Sequence, residues 1–119
     1  MDYRMGAAET KFAEIVWEHA PVPSGELVRL SEEKLGWKKS TTYTMIKKMC
    51  EKGYITNDSA TINVLIGRGV AEKEATVEFV DKTFGGSFFD MFAAFYGGKK
   101  ISEDEAKELK KLIDEYKED

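Results

Sequence analysis

The sequence contains few of the residues that build metal sites, disulfides and nucleophilic active sites. Among 119 residues there are one cysteine, Cys50, and one histidine, His19. A single cysteine forms no disulfide within a chain, and a structural zinc site needs four Cys or His ligands. His19 ends a predicted helix, where a cation is favoured by the helix dipole. We therefore expect no metal, no cofactor and no enzymatic activity.

Long apolar runs are also missing. No stretch approaches the roughly 18 apolar residues of a membrane-spanning helix, and no charged-then-apolar signal peptide opens the chain. We therefore expect a cytoplasmic protein. The length suits one compact unit or two very small ones.

Two helices are predicted in the first third of the chain. Apolar residues at helical spacing predict one over residues 7–19, which ends before Pro21 and Pro23 because a proline ring cannot continue a helix. A second helix is predicted from Ser24 to Lys34, with Gly36 as the residue that closes it. The inward positions are Ala8, Phe12, Ile15 and Val16 in the first helix, and Leu27, Val28, Leu30 and Leu35 in the second.

A third helix and a hairpin are predicted next. The helix runs from Ser40 to Lys52, and Gly53 ends it. Two β-branched strands, 54–56 and 61–66, flank turn residues 57–59. Three helices followed by a hairpin are the order of a winged helix-turn-helix, whose second and third helices form a DNA-reading unit. The inward residues of the third helix are predicted to be Thr42, Met45, Ile46, Met49 and Cys50.

A glycine-rich break at residues 67–69 predicts a domain boundary, which separates residues 1–67 from residues 68–119. Three further helices are predicted, at 70–82, at 87–96 and from a capping box at Ser102 and Glu105. Six of the seven phenylalanines lie between Phe79 and Phe95. So much apolar surface in about fifty residues must fold back on the first domain or be buried against a second copy. The predicted fold class is mainly α with a small two-stranded β-hairpin.

Charge is distributed unevenly along the chain. Residues 1–66 carry nine basic and nine acidic residues, whereas residues 67–119 carry nine basic and thirteen acidic ones, which accounts for the net charge of −4. Around the third helix, six lysines stand against one acid, Glu51. Such a local positive field is what phosphate binding requires, although lysines on a helix commonly form only a solvated face. The six are Lys34, Lys38, Lys39, Lys47, Lys48 and Lys52.

The exposed side of the third helix is the candidate DNA-binding surface. Short hydroxyls at its start can bond phosphates or base edges, a threonine methyl can contact a thymine methyl, and lysines suit the phosphate backbone. In the alternative interpretation Ser40 is only an N-cap and the threonines are fillers. The predicted DNA-binding residues are Lys38, Lys39, Ser40, Thr41, Tyr43, Thr44, Lys47 and Lys48.

The segment from Trp37 to Gly53 resembles the penicillinase-repressor family (the BlaI/MecI type, with the related copper-responsive CopY repressors). Thr41 and Thr44 match the Thr-x-x-Thr pattern of that family, and Lys52-Gly53 match its Lys-Gly turn. Residues 14–18 in the first helix, residues 20–21 after it, and residues 70–74, 84–87 and 101–109 resemble the family in the same order. The resemblance extends over roughly residues 9 to 117.

The resemblance implies a homodimeric transcriptional repressor that binds a pseudo-palindromic operator in double-stranded DNA, with no small-molecule ligand. Its C-terminal helices are expected to dimerise. Some family members are inactivated by a membrane-bound sensor protease, and the bond Ala94-Phe95 aligns best with their cleavage site. The expected dimerisation residues are Val77, Val80, Phe84, Phe88, Phe89, Phe92, Phe95, Leu109, Leu112, Ile113 and Tyr116.

The chain departs from the family pattern at several places. The hairpin tip, residues 57–61, has no basic residue, and Asp58 would repel phosphate. Ser40 stands where the family often has lysine, and Ala94 where cleavable members usually have asparagine. The cysteine pairs of the copper-responsive branch are missing, so we expect no copper sensing. The alternative function is therefore a winged-helix protein-interaction module without sequence-specific DNA binding.

Overall fold

A computed structural model describes residues 5–118, which form six helices and three short strands. No helix among these residues is both long enough and apolar enough to cross a membrane. In chain order the elements are α1 (Ala7–His19), β1 (Val22–Pro23), α2 (Ser24–Leu35), α3 (Lys39–Glu51), β2 (Ile55–Asp58), β3 (Thr61–Val64), α4 (Arg68–Phe84), α5 (Phe88–Tyr96) and α6 (Glu103–Tyr116).

The chain divides into two compact units, of which one ends at Glu78 and the other begins at Phe79. The division lies within α4, so that α4 contributes to both. The glycine-rich break at residues 67–69 coincides with the start of α4. That residues 1–67 bind DNA and residues 68–119 dimerise stays a prediction.

The inward face of α1 differs from the prediction at one position. Phe12, Ile15 and Val16 are buried as expected, but Ala8 is exposed and Glu9 is buried. The helical period places both positions near Phe12, but Glu9 is drawn in by its ion pairs with two lysines, whereas Ala8, in the first turn, stays exposed. The helix ends at His19, before the two prolines, as predicted.

The turn between α2 and α3 follows the predicted chemistry. Gly36 adopts a left-handed conformation with φ of 69°, and its N–H donates to the Glu32 carbonyl at 3.0 Å. This is the glycine-closed helix end that the sequence predicts. Helix α3 begins at Lys39 with Lys38 in the N-cap position, so the interpretation of Ser40 as the N-cap is wrong. The helix ends at Glu51, one residue before the prediction.

The strands form one antiparallel sheet in the order β1-β3-β2. The hairpin is confirmed, but β2 extends to Asp58 and the turn falls on Ser59 and Ala60, both with positive φ. The Asn57 side-chain oxygen stabilises this turn by accepting a bond from the Ala60 N–H at 3.0 Å. Strand β1 was not predicted. Its register places Val22 opposite Ile62, and its Pro23 is tolerated because β1 is an edge strand.

The core of the first unit lies between α1, α2, α3 and the sheet. Phe12, Leu27 and Ile62 are fully buried in it, and the Phe12 ring stacks on Trp37 with centroids 5.8 Å apart. The start of α4 is attached to α1, because the Trp17 indole N–H donates to the Ile66 carbonyl at 3.0 Å. The Arg68 guanidinium lies 5.0 Å from the centroid of the Trp17 ring and 3.6 Å from the Glu14 carboxylate. These contacts complete a winged helix-turn-helix and confirm the predicted fold class.

The second unit contains the end of α4, together with α5 and α6. Ser87 and Ser102 cap α5 and α6, each accepting a bond at 3.1 Å from the N–H three residues later. The Ser102 half of the predicted capping box is therefore confirmed. The other half, in which the Glu105 carboxylate would accept a bond from the Ser102 backbone N–H, is wrong. That carboxylate accepts a bond from the Tyr96 hydroxyl instead. This bond joins α5 to α6 and raises the pKa of Tyr96, with burial and the Glu105 charge acting in the same direction.

Candidate nucleic-acid interface

The candidate interface is the outer face of α3. Its opposite face is anchored in the core by Thr42, Ile46 and Met49, all buried, while Met45 and Cys50 are half-buried. Anchoring on one side of a helix fixes which residues face solvent on the other. All eight predicted DNA-binding residues, Lys38, Lys39, Ser40, Thr41, Tyr43, Thr44, Lys47 and Lys48, are exposed.

A shallow depression of about 310 Å³ lies on this face. Its walls combine hydroxyls, a methionine and an ammonium group. Hydroxyls can donate to and accept from base edges, and threonine also offers a methyl group. The depression thus has the chemistry of a surface that contacts bases. The residues lining it are Ser40, Thr41, Thr44, Met45 and Lys48.

Three of the six lysines are paired with carboxylates of α1. Lys34 lies 3.6 Å from Glu18, in an exposed pair. Lys48 and Lys52 share one partner, Glu9: the Lys48 Nζ lies 2.9 Å from its Oε1, and the Lys52 Nζ lies 2.8 Å from its Oε2. Half of the six lysines around α3 therefore have an ion-pair partner within the protein, although the two carboxylates compensate only about two of the six positive charges.

The other three lysines are available to a ligand. Within residues 5–118, Lys38, Lys39 and Lys47 form no ion pair. The Lys39 Nζ lies 5.9 Å from the centroid of the Tyr43 ring, which brings an exposed aromatic ring beside an ammonium group at the start of α3. Uncompensated lysines on an exposed helix suit contact with phosphates.

Glu9 is the site residue that the sequence analysis missed. The residue is only 7% exposed. Burial by itself raises the pKa of its carboxyl group, but the hydrogen bonds and positive charges of Lys52 and Lys48 outweigh this effect and hold the pKa below its ordinary value of 4.5. Glu9 is therefore ionised at neutral pH. Its position on the same helical face as Phe12 and Val16 was a signal in the sequence that could have revealed it.

The hairpin tip has no positive charge. Asp58 accepts a hydrogen bond from the Thr56 hydroxyl at 3.3 Å and another from the Asn63 amide at 3.4 Å, so its carboxylate is held at the tip by its neighbours. Its charge also contributes, after burial, to raising the pKa of Cys50, so that this half-buried thiol stays protonated. The tip offers polar groups but no cation to a phosphate.

The predicted dimerisation residues present a broad apolar surface in the second unit. Neither α5 nor α6 has a buried residue within the chain, and Phe89 is 76% exposed and Tyr116 81% exposed. Val80 differs from the rest because it is already buried within the chain. The other ten predicted dimerisation residues are exposed or half-buried: Val77, Phe84, Phe88, Phe89, Phe92, Phe95, Leu109, Leu112, Ile113 and Tyr116.

The remaining sites considered are the predicted cleavage site, metal binding and the single histidine. Ala94 and Phe95, at the predicted cleavage site, are exposed in the second half of α5. Within residues 5–118 no group of three or more His, Cys, Asp or Glu side chains is arranged to hold a metal ion. His19 lies in the last turn of α1, 3.9 Å from Glu18.

Comparison with known proteins gives a consistent result. The family model described as penicillinase repressor matches residues 5–115. The chain is similar to the methicillin resistance regulatory protein MecI of Staphylococcus aureus (strain Mu50), with 22% identity over 115 residues that cover 93% of this chain and 94% of the relative. It is also similar to the penicillinase repressor of Bacillus licheniformis, with 19% identity over 114 residues that cover 92% of this chain and 89% of the relative.

Proposed function

The chain belongs to the penicillinase repressor family, and we propose that it represses transcription as a homodimer bound to a pseudo-palindromic operator. The proposal assigns DNA binding to residues 1–67 and dimerisation to residues 68–119. A repressor of this kind needs no catalytic group. The observation that carries the proposal is the exposed face of α3, which combines Thr41 and Thr44 with three lysines that form no ion pair within residues 5–118.

The division of labour on α3 follows from the chemistry of its side chains. Thr41 and Thr44 line the depression and can contact base edges, which carry the sequence information. Lys38, Lys39 and Lys47 can neutralise phosphates, which gives affinity without sequence preference. In a helix-turn-helix the second helix of the motif, here α3, enters the major groove with its N-terminal residues near the bases.

Dimerisation is supported by the apolar surface of the second unit. Burying a large apolar side chain is worth roughly 1.5–3 kcal/mol, so the exposed rings of α5 supply a strong tendency to associate. A dimer with two-fold symmetry presents two copies of α3 to two inverted half-sites. This geometry explains why apolar dimerisation residues and polar DNA-binding residues occur in separate parts of one small chain.

Cleavage by a membrane-bound sensor protease is a further part of the proposal. The bond Ala94-Phe95 lies in α5, and both side chains are exposed. A cut there would divide α5 and separate α6 from it, so that the dimer surface would be lost. Incubation with a cognate sensor protease and mass analysis should yield a fragment that ends at Ala94. A chain that stays intact, or is cut elsewhere, would contradict this step.

Selection of bound duplexes from a random pool tests the DNA-binding proposal directly. Purified protein should enrich sequences with two inverted half-sites whose centres lie about one helical turn, roughly 10 bp, or a multiple of it apart. Enrichment of unrelated sequences, or none at all, would favour a protein-interaction module instead. The acidic hairpin tip with Asp58 is the specific feature that supports this second candidate.

A further inference from the structure

The carboxylate of Glu9 binds the ammonium groups of two lysines at the C-terminal end of α3. Glu9 is a buried residue of α1. Each of its carboxylate oxygens accepts a bond from a different lysine at the C-terminal end of α3: from Lys48 at 2.9 Å and from Lys52 at 2.8 Å. Only 9% of the Glu9 side chain is exposed, so water screens its charge less than that of a surface carboxylate, although Lys48 itself is half exposed. The contact therefore fixes where the two ammonium groups lie.

One of the two lysines belongs to the candidate DNA-binding surface. Lys48 lines the same depression as Thr41 and Thr44, and its side chain is half exposed. An ammonium group at this edge would reach a phosphate beside the bases that the threonines contact. Instead, its nearest anion is a carboxylate of its own chain. Lys47, its neighbour in sequence, has no such partner within residues 5–118.

We propose that Glu9 lowers the affinity of the protein for DNA of any sequence by keeping the ammonium group of Lys48 from the phosphate backbone. The inference rests on the proposed DNA-binding function. Lys48 and Lys52 share the single negative charge of Glu9, so in each chain this carboxylate lowers by about one the number of phosphates that the two lysines can neutralise, and with it the affinity that depends on salt. Base contacts by the threonines then make up a larger part of the total binding free energy, and the repressor leaves non-target DNA more readily.

No other carboxylate of α1 takes this role. Glu18 pairs with Lys34 in an exposed contact at 3.6 Å, the kind of pair that contributes little and exchanges readily. Glu14 faces Arg68 and contacts no lysine of α3. Glu14→Gln is therefore a matched control, because it changes the net charge by the same amount on the same helix.

The test compares Glu9→Gln with Glu14→Gln. Binding to a short random-sequence duplex and to the selected operator is measured from about 50 to about 200 mM salt. In a dimer, Glu9→Gln removes two carboxylate charges that offset the lysines at the end of α3, so the log–log salt slope should become steeper by about 2 on both duplexes. The ratio of the affinity of Glu9→Gln to that of wild type should then be about tenfold smaller at about 200 mM salt than at about 50 mM salt. Glu14→Gln should leave the slope unchanged.

Single lysine variants test the same idea with Glu9 in place. Lys47→Gln should reduce the magnitude of the wild-type slope by about 2 in the dimer, whereas Lys48→Gln should reduce it by less. Equal reductions by both variants would overturn the inference, as would weaker binding by a folded Glu9→Gln protein. Wild-type protein that binds neither duplex at any salt concentration would refute the proposed function itself, which distinguishes the two failures.

Discussion

Thr44 and Lys47 occupy neighbouring exposed positions on α3 but are assigned different tasks. Thr44→Ala removes a hydroxyl and a methyl group from the depression, so it should relax base preference at one position of each half-site. Lys47→Ala removes a proposed phosphate contact, so it should weaken binding to all sequences about equally. Competition between the operator and its single-base variants checks both. Equal loss on every duplex for Thr44→Ala would contradict base reading.

The ion pairs of Glu9 also make stability depend on pH. Because the pKa of Glu9 in the folded protein lies below its ordinary value of 4.5, the pairs stabilise the fold above that pH, and their contribution is lost as the pH falls through the folded-state pKa. Urea unfolding from about pH 7 to about pH 3 should therefore show a larger acid loss for wild type than for Glu9→Gln. Parallel curves would exclude this contribution.

Glu9, which the sequence analysis missed, shows which contacts a local sequence pattern does not predict. The helical period placed Phe12, Ile15 and Val16 correctly, and the same period puts position 9 on their face. A glutamate is by default assigned to solvent, and its partners Lys48 and Lys52 lie about forty residues away in sequence. Only the packing of α1 on α3 brings these charges together, and no local rule predicts that packing.

At the scale of elements, the turn between α2 and α3 depends on Gly36. Its φ of 69° is unfavourable for a residue with a Cβ, although space is available around it. Gly36→Ala should therefore reduce the free energy of unfolding by about 1–2 kcal/mol. Gly25→Ala is the control, because Gly25 lies within α2 with equal space and no positive φ. Urea unfolding should show it neutral or slightly stabilising. Equal losses would contradict this explanation.

The elements differ in how well the sequence predicts them. Helices with a clear apolar period and a closing glycine were predicted to within one or two residues, as α2 and α3 illustrate. Strand β1 has two residues and a proline, so it carries no period, and it exists because β3 offers it a partner. The hairpin turn begins two residues later than predicted, and Asn57 supports it from within the strand.

At the scale of the whole molecule, dimerisation should depend on the α5 surface. Phe89→Glu places a charge on a side chain that is 76% exposed in the single chain, so the chain should still fold while the dimer is lost. Leu65→Glu is the control, since Leu65 is 60% exposed and lies outside the proposed surface. Light scattering after size-exclusion chromatography should give twice the chain mass of 13.5 kDa for wild type and Leu65→Glu. A dimeric Phe89→Glu protein would contradict the assignment.

The arrangement of lysines leads to a single quantitative expectation for DNA binding. Three lysines per chain, Lys38, Lys39 and Lys47, have no ion pair within residues 5–118, so a dimer offers about six to phosphates. A salt titration of the wild-type protein on its selected duplex should therefore give two chains per duplex and a log–log slope of about −5. Binding that does not change with salt, or no binding at low salt, would contradict the assignment of α3 as the DNA-reading helix.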